Sequence, residues 1–364
     1  MYPKPKTTVR KPVYTQLNRR LLKPARARCF IFICLCLCVV NVSAFDFLSA
    51  NGSHQFSGLI GIPQARFLAP RAATDGASIQ AGSRADVAVS IQSDYSNIFA
   101  GGFRDGEFLL LDGETARNTA AIVARIGHCF QLAADFKQVN HRVGSLDNLI
   151  EIWHEIFQLP DAQRDETESN RLLFVYDSED IQLTLDTATR SMSDTTVQFA
   201  YHSDCGLGGN ALPGALWFAG INIPTGNLED LSGIGETAVF FGLESHSYRF
   251  GQQLSAGARL GLLLPGDTEG LPEISSLIGF GNFGLQWHPH WLAQHNTRLM
   301  LQLDINSPIY QSKLRELGNY TVQLAVGGTW TPSASHEFSA AFLEDVAVDT
   351  SPDLVFHLQY QFAF

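Results

Sequence analysis

Leu354–Phe364 reads L-V-F-H-L-Q-Y-Q-F-A-F and closes the chain. Leu354, Phe356, Leu358, Tyr360, Phe362 and Phe364 share one face of an extended segment, and Val355, His357, Gln359, Gln361 and Ala363 share the other. Strict period-two alternation over this length describes a strand long enough to cross a bilayer. Soluble sheets alternate too, but seldom stop on a terminal Phe. The expected class is all-β: a closed antiparallel barrel whose strands span a membrane.

The other end of the chain agrees. Met1–Arg28 carries nine Lys/Arg and no acid, Cys29–Val40 is an unbroken apolar run, and Asn41-Val42-Ser43-Ala44 supplies small residues. That order is a secretory signal, with cleavage expected after Ala44. The apolar run is shorter than the roughly 20 residues a spanning helix needs. Removing 1–44 leaves 16 Lys+Arg against 36 Asp+Glu, a formal charge of −20. So acidic a chain argues against nucleic acid as partner. Four of the six cysteines leave with the signal, and Cys129 and Cys205 remain for a possible disulfide in an oxidising compartment. The C-terminal strand, with Phe356, Leu358, Tyr360, Phe362 and Phe364 on one face, resembles the signal read by the barrel assembly machinery of Gram-negative outer membranes. Outer-membrane lipid and lipopolysaccharide are then the expected surroundings.

Further segments alternate. Leu299, Leu301, Leu303 and Ile305 oppose Arg298, Gln302 and Asp304; Tyr320, Val322, Leu324, Val326 and Trp330 oppose Thr321, Gln323 and Thr329. Ile181, Leu183 and Leu185 oppose Gln182, Thr184 and Asp186, and Val197, Phe199 and Tyr201 oppose Gln198, Ala200 and His202. Apolar faces are expected on lipid and polar faces in the lumen. Arg259, Arg298, Gln302, Asp304, Gln323, Gln359 and Gln361 are the candidate lumen residues. Counting strands back from a periplasmic C-terminus puts tight turns at Gly127-His128, Asp177–Asp180, Arg249–Gln252 and Thr331–Ser335 on the periplasmic side, with Asp204–Pro213 and His288–Asn296 as longer exceptions. Asn140–Arg171, Ile223–Glu236, Leu264–Leu277 and Ile305–Asn319 become long extracellular loops. Trp217, Trp287, Trp291 and Trp330, with Tyr176, Tyr201 and Tyr248, fall near periplasmic ends as an interfacial girdle. About 14 strands are expected from residue 87 onward, within a range of 12 to 16. Residues 45–86 precede them as a periplasmic tail, a partial plug or a first strand.

Gly144–Arg171 departs from the pattern. Leu146, Leu149, Ile150, Trp153, Ile156 and Phe157 recur at three- and four-residue spacing, which predicts an amphipathic helix in the longest extracellular loop, ended by Leu159-Pro160. The run Ile150–Arg164, I-E-I-W-H-E-I-F-Q-L-P-D-A-Q-R, resembles the I-x-x-W/F-H-x-x-F-x-L-P-x-x-x-R segment of a proteobacterial outer-membrane family of unknown function (DUF3187-like). Trp153, His154, Phe157, Leu159, Pro160 and Arg164 carry the likeness. Asp112-Gly113-Glu114-Thr115 and Gly61-Ile62-Pro63 are similar to that family too. The family has glycine before its Leu-Pro, where this chain has Gln158. The resemblance implies an outer-membrane barrel and no particular activity.

The chemistry is sparse. His246-Ser247 and His202-Ser203-Asp204 place nucleophile and base types side by side, but strand neighbours face opposite ways, so neither is a dyad. His288, His290 and His295 cluster in one turn without accompanying Cys or acids at zinc-site spacing. Asp161, Asp165, Glu166 and Glu168, like Asp267 and Glu269, read as solvated acidic loops. No catalytic residue, metal site or cofactor is expected. The function expected is passive passage or binding of a small solute, with weak cation preference from the acidic excess. A structural or surface-interaction barrel with a plugged lumen, and a lipid or lipopolysaccharide hydrolase, are the alternatives.

Overall fold

The computed structural model describes residues 45–68, 86–146, 170–203, 215–245, 248–250, 253–346 and 350–364. Every described residue lies in one compact unit, within Val40–Phe364. Its first strands are β1 (Val87–Arg104), β2 (Glu107–Ile126), β3 (Phe130–Arg142), β4 (Leu173–Asp177), β5 (Gln182–Leu185) and β6 (Thr189–Met192). Then come β7 (Thr195–His202), β8 (Ala215–Ile223), β9 (Ala238–Ser245), β10 (Tyr248–Phe250) and β11 (Leu254–Leu264). The last are β12 (Ile278–Trp287), β13 (Thr297–Asn306), β14 (Thr321–Ser333), β15 (His336–Asp345) and β16 (Leu354–Ala363). Among the described residues there are three short helices, α1 (Gln55–Leu59), α2 (His290–Ala293) and α3 (Arg315–Gly318).

The sheet closes on itself. β16 pairs antiparallel with β1 from Ala88↔Ala363 to Asn97↔Leu354, and β2 pairs with β3 from Glu114↔Arg142 to Ile126↔Phe130. Together with β7, β8, β9 and β11–β15 these strands form a ring of 12. Closure gives every strand of the ring a neighbour on both sides, which is what a sheet surrounded by hydrocarbon requires. The strand count falls inside the expected range because β4, β5, β6 and β10 are short additions to the ring. No described helix is long and apolar enough to cross a membrane; the crossing is made by strands.

Side-chain alternation sets the two surfaces. Outward residues such as Ile91, Leu358 and Phe364 are 64%, 63% and 66% exposed, forming an apolar outer wall. Inward neighbours such as Gln92, His357 and Gln302 are buried. The alternation breaks on the outside of β1–β3, where Glu114 is fully buried although it faces outward. There the chain after β3 folds over it: the Ser145 and Leu146 backbone N–H groups donate to Glu114, Tyr95 bonds to it, and the Arg142 guanidinium lies 4.4 Å from the Tyr95 ring centroid. Asp112, two residues earlier, is held by Arg171 at 2.7 Å.

The short connections at 127–129 and 334–335 lie at the C-terminal, periplasmic end, and the long loops 224–237, 265–277 and 307–320 lie at the other. Trp217, Trp287, Trp291 and Trp330 are all half-exposed near the periplasmic end, as a girdle requires. Two expectations are corrected. Asp177–Asp180 is not a periplasmic turn, and Ile181–Asp186 is not a spanning strand. Of the ring strands β4 pairs with the outer tip of β2, Phe108↔Asp177 to Asp112↔Leu173, and with β5 it forms a hairpin outside the membrane. Strands of five and four residues are too short to span. Tyr176 accordingly sits at the extracellular side, buried, donating to Glu107 at 2.9 Å. The expected loop helix, Ile150 to Arg164, lies outside the described residues.

The purified protein should run as a compact species on SDS gels and shift on boiling; identical migration with and without heat would refute closure. Cys129 is disulfide-bonded, and we expect Cys205 as its partner. Alkylation should then add mass at both positions only after reduction.

Candidate functional site

Phe45–Leu68 runs inside the ring, and this strap defines the site. α1 lies within it, capped by His54, whose Nδ1 accepts from the Ser57 N–H at 3.2 Å. A five-residue helix is marginal alone. Here it persists because Phe56, Leu59 and Ile60 are buried against Ile98, Leu109, Phe174 and Tyr310. The same apolar cluster takes in Leu231, Ile234, Leu271, Leu314 and Leu317 from the extracellular loops. The outer end of the lumen is thus filled by a hydrophobic core.

Below it the wall is polar, and its side chains satisfy the strap's backbone. Gln302 accepts from the Leu48 N–H at 2.9 Å and donates back to the Leu48 carbonyl at 3.0 Å. Gln131 does the same for Leu68, at 2.8 Å in both directions. Gln92 donates to the Ser49 carbonyl at 2.7 Å. Asn222 donates to the Gly61 carbonyl at 2.7 Å, Gln286 to Asp46 at 2.9 Å and Gln198 to Gln64 at 3.2 Å. Each carboxamide takes the place a neighbouring strand would have in a ladder.

Charged groups fix both ends. Arg298 reaches Asp46 and Glu337, each at 2.5 Å. Arg259, fully buried, donates to the Pro63 carbonyl at 2.6 Å, lies 3.5 Å from Glu244, and stacks over the Phe218 ring at 4.3 Å. The Phe45 ring occupies a flat patch made by the paired glycines Gly257 and Gly284, where an added Cβ would come within 2.5 Å and 2.3 Å of it. At the outer end the Tyr310 hydroxyl donates to the Phe56 carbonyl at 2.7 Å. Burial pushes the Tyr310 phenol above its usual range, so it stays a donor. Gln55, Thr115 and His141 make a second link: Gln55 donates to Thr115 at 2.8 Å, Thr115 bonds to His141 at 2.8 Å, and His141 Nε2 lies 3.1 Å from the Leu231 carbonyl.

The candidate lumen residues all lie on inward faces. Asp304 accepts from Asn282 at 2.6 Å and from Gln302 at 2.8 Å. Gln323 abuts Gly52 of the strap, and Gln359 lies 2.5 Å from the Ser49 hydroxyl. Gln361 pairs across β16 with Ser90 and Glu337. Sequence reasoning missed Gln92, Asp94, Arg117, Gln131, Asp135, Asn222 and Glu244, and missed Arg66 in the strap. The alternation of β3, with Leu132, Ala134 and Phe136 opposite Gln131, Asp135 and Lys137, held that signal. His202 contacts Gln131 at 2.7 Å, and the Ser203 hydroxyl accepts from the Ala215 N–H at 3.0 Å. Asp204, His246 and Ser247 lie outside the described residues. His290 and His295 are exposed in the turn around α2.

The family model described as a protein of unknown function, DUF3187, matches residues 36–364. The chain belongs to the DUF3187 family. No curated protein matches it. Among solved structures, the DUF3187 barrel is similar to the COG4313 outer membrane channel from Pseudomonas putida F1, at 12% identity and TM-score 0.48, covering 80% of this chain and 99% of that one. It is similar to the CymD monoaromatic hydrocarbon channel at 10% identity and TM-score 0.37, covering 86% and 98%. It also resembles the translocator domain of the autotransporter NalP from Neisseria meningitidis at 11% identity and TM-score 0.40, covering 77% and 88%. Likeness at this level carries no argument about cargo. The closed ring and its apolar outer wall make this DUF3187 protein an outer-membrane β-barrel.

Gln302→Leu and Gln131→Leu each remove a two-way bridge and leave strap amide groups without partners. Each should weaken strap docking by about 1–3 kcal/mol. Amide hydrogen exchange at Leu48 and Leu68 should accelerate correspondingly, with the compact unboiled gel band retained.

Proposed function

We propose that this barrel passes a small polar or charged solute across the outer membrane, and that the strap Phe45–Leu68 closes the path until it is displaced. The observation that carries this reading is the character of the wall beneath the strap. Buried ionisable groups are costly, and a barrel filled once and for all would be better served by apolar side chains. Here several buried wall atoms, including Gln198 Oε1, Gln323 Nε2 and Arg117 Nη1, have no hydrogen-bond partner among the described residues. Such a wall suits a lumen that is wet when the strap is out. The acidic excess of the chain beyond residue 44, a formal charge of −20, favours cations.

A second reading, a structural barrel permanently sealed, is favoured by the apolar cluster at the outer end. Planar-bilayer recordings separate the two. The intact protein should be closed with rare openings, and deletion of residues 45–68 should give sustained cation-preferring conductance. Silence from both proteins, with the gel shift intact, would favour the sealed barrel.

A further inference from the structure

The strap inserts one cation among the carboxylates of the wall. The Arg66 side chain is 4% exposed; its Nη1 donates to Gln92 Oε1 at 2.8 Å, and its Nε lies 3.8 Å from Asp135 Oδ2. Asp135 Oδ1 is held separately by Lys137 at 2.8 Å. Asp94 stands behind Gln92, bonded to its Nε2 at 2.5 Å and to His357 Nδ1 at 2.7 Å. Arg117, the cross-strand partner of Asp94, reaches toward the His54 carbonyl at 3.4 Å and not toward Asp135. Among the described residues the Gln92 and Asp135 oxygens therefore meet one guanidinium, and it belongs to the strap, as does the Ser49 hydroxyl that donates to Gln92 Oε1 at 2.9 Å. Arg66 Nη2 donates to Gln64 Oε1 within the strap at 2.5 Å, but the contact with Asp135 is loose: the Arg66 Nε has no hydrogen-bond acceptor among the described residues. A buried cation that meets Asp135 only loosely, on a removable segment, is suited to exchange, because its departure leaves the Gln92 Oε1 and Asp135 Oδ2 acceptors in want of donors.

We propose that Gln92 Oε1 and Asp135 Oδ2 form a binding site for a guanidinium or primary-ammonium group, and that Arg66 occupies it as a built-in ligand while the lumen is closed. This deepens the passage reading and rests on it for its purpose: a solute carrying such a cation competes with Arg66 for the wall. A planar donor or an –NH₃⁺ group reaches both acceptors, whereas a quaternary ammonium ion has no N–H to give.

The test uses the intact protein in detergent and thermolysin cleavage between Arg66 and Phe67, with millimolar guanidinium chloride as probe and tetramethylammonium chloride at equal ionic strength as control. In the wild type, guanidinium should displace Arg66 and accelerate cleavage saturably, by about tenfold, which is the effect of about 1.4 kcal/mol. In Arg66→Ala the sign should reverse, because guanidinium fills the vacated site and lets the strap redock. Adding Asp135→Asn to that variant should abolish the protection. Equal effects of guanidinium and tetramethylammonium in the wild type would overturn the site, and that arm decides alone if Arg66→Ala fails to assemble. Guanidinium-specific cleavage without conductance from the strap-deleted barrel would keep the site and sink passage; conductance without guanidinium specificity would do the opposite.

Discussion

The lack of water partners for backbone amides governs this molecule twice. In the wall, hydrocarbon outside the ring leaves each strand N–H and C=O with no partner but the next strand, so the sheet must close, as β1 and β16 do. In the lumen, the strap has no regular secondary structure outside α1 and no ladder of its own. Its amide groups would be stranded without the glutamines and asparagine that project inward at matching heights. Gln131 and Gln302 are the clearest case, since a carboxamide offers one acceptor and one donor spaced like those of a peptide group. The ring supplies a fixed array of such groups, and the strap is the chain segment that fits it.

Close approach of the two chains depends on side chains being absent as much as present. Gly257 and Gly284 face each other across β11 and β12 and leave a recess that the Phe45 ring fills. Higher on the same side, Phe280 lies over Gly261, Phe218 over Gly242 and Phe240 over Gly220. Each ring is flattened against the wall by a glycine on the neighbouring strand. This keeps bulky apolar residues in the lumen without blocking the strap, and it shapes the aromatic surface on which the Arg259 guanidinium rests.

The barrel was legible in the sequence wherever one face of a strand was uniformly apolar. β13, β14 and β16 read correctly because lipid imposes that uniformity on the outside. β1 and β2 were harder, because Tyr95, Asn97 and Glu114 face outward where the chain after β3 covers them. The short β4–β5 hairpin misled for the opposite reason. It alternates like a spanning strand, but its apolar face packs on the extracellular cluster, so alternation reported burial and not lipid. The strap left almost no pattern: many of its contacts go from wall side chains to its backbone, and backbone carries no residue signature. Arg66 was invisible as a site residue because the carboxylate it meets lies far away in sequence, on β3.

The two halves of the strap are held by forces of different kinds, and this decides how it would leave. In the periplasmic half, each carboxamide bond to the backbone is exchanged for bonds to water once the lumen fills, so its net contribution is small, about 0.5–1.5 kcal/mol. These bonds set register more than affinity. In the outer half, Phe56, Leu59 and Ile60 are buried in apolar surroundings, and each would cost roughly 1.5–3 kcal/mol to expose. Tyr310 and the Gln55–Thr115–His141 chain tie that same half to the loops that cover it. Loosening only the periplasmic half therefore frees a tether without opening the barrel. Full opening requires the extracellular loops 224–237 and 307–320 to give up their contact with α1. The tightest control over the lumen thus sits at the outer end, where the loops face the cell exterior, while the exchangeable charges sit at mid-lumen below it.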